Sequence, residues 1–219
     1  MIVAVIRPAQ GLIVYDPACG SGTFLVETLK YWRSFGPIAG ELKVFGSEKS
    51  SRMLQIAELN LAHQPGVRLT GFLRDALATD MSDAMPIVPN TADVILTNPP
   101  FGVVIDRKHV DLDSYVAARD ANGRPTDRIP SEILFIEQCL KFLKPGGWLG
   151  IVVPRSVITN SRFASARNAL GELGYRGRSV TTLDMSSRME SLPPGQPTRM
   201  PDRRLLRPVG SFAPRPIGA

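Results

Sequence analysis

Four short stretches of this sequence carry residue types that could perform chemistry together. The first is Asp16-Pro17-Ala18-Cys19-Gly20-Ser21-Gly22-Thr23. Glycines spaced as Gly20 and Gly22 let the backbone turn tightly and let a ligand approach it. A helix starting just beyond would offer unpaired N–H groups to a polar or anionic group. Many α/β proteins turn this way for packing reasons alone, and the G-K-[ST] ending of a Walker loop is missing. The second is Glu48, at the right distance for a ribose-binding acid whose two oxygens suit two vicinal hydroxyls. Taken alone, a solvated strand-end acid is the better reading of it. The third is Asp75 in Leu73-Arg74-Asp75-Ala76-Leu77, which could accept from an adenine amino group; an ordinary loop acid fits equally well. The fourth, Asn98-Pro99-Pro100-Phe101, is the most specific. The Asn98 amide oxygen and the Pro99 carbonyl can both accept from one exocyclic amine, and two prolines stiffen the turn that carries them. Phe101 can stack on a planar ring, worth about 1–3 kcal/mol per base. A strand-ending turn with a core phenylalanine explains each residue singly but not the combination.

The elements that must position these residues follow from apolar periodicity. Short β-branched runs alternate with amphipathic stretches, the pattern of a parallel sheet with crossover helices. Strands are expected at Leu12–Asp16, Leu42–Ser47, Val67–Phe72, Asp93–Thr97, Trp148–Val153 and Ser179–Leu183. Helices are expected at Thr23–Arg33, through Ala62 on the face of Met53, Ile56, Ala57, Leu59 and Leu61, and at Ser161–Leu173. Another is expected from Ser131, acting as its cap, to a stop at Pro145-Gly146-Gly147. Asn98 then falls at the carboxyl edge of a buried strand, where open α/β sheets bind ligands. Gly102–Pro130 is polar, with five acids balancing five bases, and connections this long are usually functional or mobile. Met185–Ala219 holds seven prolines and little periodic apolar pattern. One domain is therefore expected over 1–183, with a disordered Pro/Arg-rich tail over 184–219.

DPACGSGTF, the Glu48 strand end, the Asp75 loop and NPPF, in that order, resemble the adenine-N6 DNA methyltransferases of the gamma arrangement. Among these the chain is most similar to the modification subunit of type I restriction systems. VFGSEKSSRMLQIAELNLAH and SEILFIEQCLKFLKPGGWLGIVVPRSVI extend the resemblance over about Gly11–Val180. It implies an α/β, Rossmann-like methyltransferase fold with a mostly parallel, incomplete sheet and S-adenosylmethionine as cofactor. It also implies site-specific adenine-N6 methylation of DNA within a restriction-modification system. By the same resemblance Asp16 meets the methionine portion, and Ala18, Cys19, Gly20, Gly22 and Thr23 wrap it. Glu48 holds the ribose, Asp75 and Ala76 the adenine, and Asn98 borders the cofactor. Asn98 and Pro99, with Pro100 and Phe101, hold a flipped target adenine, whose flipping costs a few kcal/mol. Implied partners are DNA, a specificity subunit and a restriction subunit, with no membrane. The chemistry agrees: an aromatic amine is a poor nucleophile, a sulfonium is a good leaving group, and positioning supplies most of the acceleration. No metal or strong general base is expected.

The chain has 219 residues, 43% hydrophobic and 21% charged, with a mean hydropathy of zero. That excludes a mainly disordered or fibrous protein, and the longest apolar runs are too short to span a bilayer. The absence of a secretory leader and only two cysteines point to a reducing cytoplasm. The net charge of +6 is permissive for a polyanionic partner, but half of it sits in 184–219. Arg107, Lys108, Arg119, Arg124 and Arg128 are candidate phosphate contacts, Asp111 and Asp113 solvated loop acids, and His63 and His109 surface or helix-end residues. Cys19 is read as filling a tight turn. About fifteen residues precede Asp16, where the family has a helix covering the cofactor, and the resemblance fades after Val180. A gene fragment or a frameshifted ending is the expectation. Two other readings stay open: a non-catalytic fragment binding only cofactor or a partner, and an amino-group methyltransferase acting on RNA or protein glutamine. Phe101 in place of tyrosine favours DNA adenine.

Overall fold

In chain order the elements are α1 (Ile2–Ile6), β1 (Val14–Asp16), α2 (Thr23–Arg33), β2 (Val44–Glu48), α3 (Ser51–Ala62), β3 (Thr70–Leu73) and β4 (Ala92–Thr97). They continue as β5 (Val104–Asp106), β6 (Arg128–Pro130), α4 (Ser131–Phe142), β7 (Leu143–Ile151), α5 (Arg155–Thr159), α6 (Ala164–Gly174) and β8 (Ser179–Thr182). The structure, a computed structural model, describes residues 2–37, 43–64, 70–78, 87–120, 122–174 and 179–182. The expected tail over 184–219, together with Leu42, Val67 and Leu183, lies outside them. Six strands pair in the order β3-β2-β1-β4-β7-β8, every pair parallel. The first strand thus sits in the middle, with the chain winding outward on both sides. That is the point where an open α/β sheet forms its ligand crevice.

Side-chain alternation along the central strands builds two cores. Val14, Val94 and Leu96 face α1, α2 and α3, where Leu25, Leu29 and Trp32 recur at helical spacing and are buried. The Trp32 indole N–H donates to the Pro8 carbonyl at 2.7 Å, so its polar edge is satisfied. Tyr15 and Ile95 face the opposite way, toward α4, α6 and the segment around Tyr115. α3 starts at a Ser50 cap that accepts from the Met53 N–H.

Three expectations need correction. Ser131 does not cap α4. It is the first helical residue, Pro130 stands at the cap position, and the Ser131 hydroxyl bonds elsewhere. Pro145-Gly146-Gly147 does not end the helix either, because α4 stops at Phe142 and Leu143 opens β7 directly. Ala92 pairs with Leu143 and Val94 with Trp148, so residues 144–147 form a bulge in β7. Lack of space explains Gly147, whose Cβ would lie 2.8 Å from the Asp93 carbonyl oxygen, and a φ of 79° explains Gly146. Finally, Gly102–Pro130 is a packed insertion. It contains the antiparallel pair β5–β6 and buries Val110, Leu112, Tyr115, Ala117 and Ala118.

Candidate active site

Asp16, Glu48 and Asn98 close or immediately follow β1, β2 and β4, three adjacent strands, and Asp75 follows β3 on the same edge. Parallel pairing brings the four sequence-predicted stretches to one side of the sheet. Of the four, two are tightly built into the fold and two are more exposed.

The Asp16–Thr23 turn is held by its own hydrogen bonds. The Asp16 Oδ1 accepts from the Ala18 N–H at 3.0 Å, the Cys19 N–H donates to the Ser47 carbonyl at 3.0 Å, and the Gly22 N–H donates to the Cys19 carbonyl at 2.7 Å. Glu48 ties the turn to α3. Its Oε2 accepts from the Gly20 N–H at 3.1 Å and its Oε1 from the Ser50 N–H at 2.9 Å. A carboxylate has about four lone-pair sites, so capacity for a ligand remains. Asn60 adds a third tie, donating from Nδ2 to the Ser21 carbonyl at 2.9 Å.

The two glycines do different work. Both have left-handed backbones, φ 52° at Gly20 and 80° at Gly22. A Cβ on Gly22 would lie 2.8 Å from Leu61 Cδ1 and 3.2 Å from Ala57 Cβ, so this glycine lets α3 pack against the turn. A Cβ on Gly20 would meet nothing within 4 Å. Of these two glycines, Gly20 is the one that faces open space among the described residues.

Burial sets the electrostatics. Asp16 is almost fully buried, and desolvation pushes its pKa up to about 7, with the nearby Glu48 charge adding to the rise. The Thr97 hydroxyl and the Ala18 N–H oppose that rise, although among the described residues Thr97 Oγ1 completes no hydrogen bond of normal geometry. Burial, Asp16 and Glu48 together push the Cys19 thiol up to about 12, so it is no nucleophile at neutral pH. Its Sγ packs where a Cβ on Gly46 would come within 3.0 Å.

Asp75 is exposed and its Oδ1 accepts from the Leu77 N–H at 3.0 Å, while Ala76 is buried. In the Asn98–Phe101 turn, Pro99 is buried and Asn98, Pro100 and Phe101 are exposed. Phe101 is 46% exposed, which removes the reading of it as a core residue. Among the described residues the Asn98 amide has no hydrogen-bond partner. Sequence reasoning missed what holds this turn. The Ser131 hydroxyl donates to the Pro100 carbonyl at 3.0 Å, and Glu132 Oε1 accepts from the Gly102 N–H at 2.8 Å. Two acids in a largely apolar, buried helix, Glu132 and Glu137, were the available signal.

The insertion is anchored to the same helix. Glu137, fully buried, accepts from the Val116 and Ala117 N–H groups at 3.0 and 2.8 Å and pairs with Lys141. The Tyr115 hydroxyl donates to the Leu77 carbonyl at 3.0 Å, so the insertion also reaches the Asp75 loop. Of its charged residues, Arg107 pairs with Asp113 and Asp127, and Asp111 accepts from the Asp113 N–H.

With that geometry in place, the comparisons with known proteins become decisive. The family model described as N-6 DNA Methylase matches residues 1–169. The chain belongs to that family. Among curated relatives, the type II methyltransferase M.VspI of a Vibrio species is 29% identical over 163 residues. That alignment covers 74% of this chain and 36% of the relative. The structure is similar to a modification subunit of a putative type I restriction enzyme from Vibrio vulnificus, with TM-score 0.58 and 25% identity, covering 79% of this chain and 36% of that one. It is also similar in fold to a putative class I S-adenosylmethionine-dependent methyltransferase from Listeria monocytogenes, with TM-score 0.59 and 23% identity, covering 76% and 46%. The chain thus spans about a third to a half of the length of these three relatives. Its fold is the α/β, Rossmann-like one of S-adenosylmethionine-dependent methyltransferases. No helix among the described residues is long and apolar enough to cross a membrane.

Proposed function

We propose that this chain carries the catalytic core of an S-adenosylmethionine-dependent methyltransferase acting on adenine N6 in DNA, within a restriction-modification system. One observation carries the reading: the glycine turn, Glu48 and the Asn-Pro-Pro-Phe turn lie at the carboxyl ends of three adjacent parallel strands. The family description, N-6 DNA Methylase, supports DNA N6 methylation, and the likeness to a modification subunit of a putative type I restriction enzyme supports the restriction-modification setting. DNA, a specificity subunit and a restriction subunit are the proposed partners, and the cytoplasm the proposed location.

The residues fit the cofactor. Gly20 leaves open space beside its backbone, and Asp16 and Glu48 supply acceptors for an ammonium and for hydroxyls. Asp16 and the turn from Ala18 to Thr23 would hold the methionine portion, Glu48 the ribose, and Asp75 with Ala76 the adenine. When bound, S-adenosylmethionine supplies an activated methyl group on a sulfonium. The protein's own contribution is to orient the amine. The Asn98 amide oxygen and the Pro99 carbonyl accept its two N–H bonds, which turns the nitrogen lone pair toward the donor. Exposed Phe101 offers its ring to an unstacked base. Pro100 keeps the turn rigid.

Calorimetry with S-adenosylmethionine, followed by tritium transfer to DNA, RNA and protein with and without a specificity subunit, tests the assignment. Cofactor binding with transfer to DNA adenine alone is the expected result. Transfer to RNA or glutamine, or binding without any transfer, would select one of the two other readings.

A further inference from the structure

Residues that begin a helix with Ser-Glu ordinarily satisfy that helix's own free N–H groups. α4 does not use them so. Its cap position is Pro130, with no side-chain cap bond, and both Ser131 and Glu132 are turned to the loop that follows β4. The Ser131 N–H donates to the Val103 carbonyl at 2.8 Å and its hydroxyl to the Pro100 carbonyl at 3.0 Å. Glu132 Oε1 accepts from the Gly102 N–H at 2.8 Å, and its Oε2 lies 3.4 Å from the Ser131 hydroxyl. Ser131 is 1% exposed and Glu132 4%, whereas Asn98 and residues 100–104 are exposed. Burying a carboxylate to hold one glycine amide is costly unless that bond has a use, and the N-terminal end of α4 eases the cost.

Resting on the reading of Asn98–Phe101 as the amine-binding turn, we propose that Ser131 and Glu132 are positioning residues that lock this turn from its downstream side. Upstream the turn is fixed by the β4–β7 ladder, in which Thr97 pairs with Ile151. Between those anchors the Asn98 amide makes no bond of its own among the described residues, so its aim is inherited from the backbone. Gly102, at φ 71°, is where the backbone leaves the turn and where Glu132 takes hold. Neither side chain touches the amine.

The test uses the full chain. Amide exchange at Gly102 is followed by NMR, cofactor affinity by calorimetry, and methyl transfer with adenine-containing DNA. Glu132→Ala is expected to speed Gly102 exchange about tenfold or more, because a charge-assisted hydrogen bond is lost. It should lower kcat by a similar factor while cofactor affinity stays within about twofold. Glu132→Gln keeps a carbonyl acceptor and should restore both readouts to within about threefold of wild type. Unchanged Gly102 exchange in Glu132→Ala overturns the proposal. So does exchange that rises equally throughout β4 and α4, since that signals general loosening. If Glu132→Ala fails to fold, Ser131→Ala decides: faster Gly102 exchange with cofactor affinity kept supports the lock, and wild-type exchange refutes it. If wild type transfers nothing to DNA while Gly102 responds as described, the lock stands and the adenine assignment fails.

Discussion

The two halves of the candidate site are rigid for opposite reasons. On the cofactor side, the Asp16–Thr23 turn and Glu48 satisfy one another through backbone amides, and α3 packs into Gly22. On the acceptor side, the turn from Asn98 is exposed, carries two prolines and is held from outside by α4. A self-satisfied pocket suits a small molecule that returns in one pose. An exposed turn braced from behind suits a bulky base that must enter from a larger partner. If that contrast is right, mutations on the acceptor side should cost turnover without cofactor affinity, and cofactor-side mutations the reverse.

The sharpest break is Asn98→Ala. Removing one of the two proposed amine acceptors should lower methyl transfer by on the order of a hundredfold or more, comparable to losing one preorganised polar contact in other active sites. Cofactor affinity by calorimetry should stay near wild type. Wild-type turnover in this variant would refute the acceptor assignment outright.

Next in size is the pair Gly22→Ala and Gly20→Ala. At Gly22 the new methyl would meet Leu61 and Ala57 and sit at φ 80°, so overpacking and backbone strain act together. A loss of about 2–4 kcal/mol is expected by denaturant melts. At Gly20 only the φ of 52° is penalised, about 1–2 kcal/mol, but the methyl enters the open space proposed for the ligand. Gly20→Ala should therefore lose more cofactor affinity and less stability than Gly22→Ala. The reverse order would mean that the glycine turn is packing alone.

Asp16 gives a pH test. Its pKa of about 7 in the fold, against an ordinary carboxyl value of 3.8, means that between these values the folded chain holds a proton the unfolded chain has released. Stability of the ligand-free protein therefore falls as pH rises from about 4 to about 7 and levels off above. Cofactor affinity should move the other way. An ammonium prefers the carboxylate, so the dissociation constant should rise as pH drops below about 7, by up to about tenfold per unit. Asp16→Asn should flatten both profiles, with ligand-free stability gained at pH 8. A pH-independent affinity in wild type would remove Asp16 from the cofactor's charged end.

How legible all this was depended on whether a residue's role was local. The strand-turn-helix at Asp16–Arg33 was readable because Gly20, Gly22 and the apolar spacing of Leu25, Leu29 and Trp32 act within one segment; α2 begins and ends at the expected residues. The place of Asn98-Pro99-Pro100-Phe101 was readable because a buried apolar run, β4, ends directly before it. Ser131 was misread as a cap because its partner, the Pro100 carbonyl, is 31 residues away, a distance that no periodicity encodes. Glu137 drew no attention in the sequence because its partners are the backbone N–H groups of Val116 and Ala117, which the insertion lays over it. The polarity of Gly102–Pro130 was read as a loop property. Much of it is spent instead on internal pairs such as Arg107–Asp113, while Val110, Leu112 and Tyr115 enter the core.

That insertion supplies the subtlest test of the contrast. Tyr115 belongs to the insertion that follows the acceptor turn, but its hydroxyl holds the Leu77 carbonyl at 3.0 Å, and the Leu77 N–H donates to Asp75 Oδ1. The ring itself is seated independently, buried in the core with Lys141 lying 4.1 Å from its centroid. Tyr115→Phe therefore removes the hydroxyl, with its bond to the Leu77 carbonyl and its 3.3 Å contact with Gln138 Oε1, and little packing, a cost of about 1 kcal/mol. The loop it releases is on the cofactor side. The cofactor dissociation constant should rise about threefold to fivefold with kcat unchanged, despite the residue's place in the chain. A fall in kcat at constant affinity would instead tie the insertion to the acceptor turn, and the two sides of the site would then share a brace rather than stand apart.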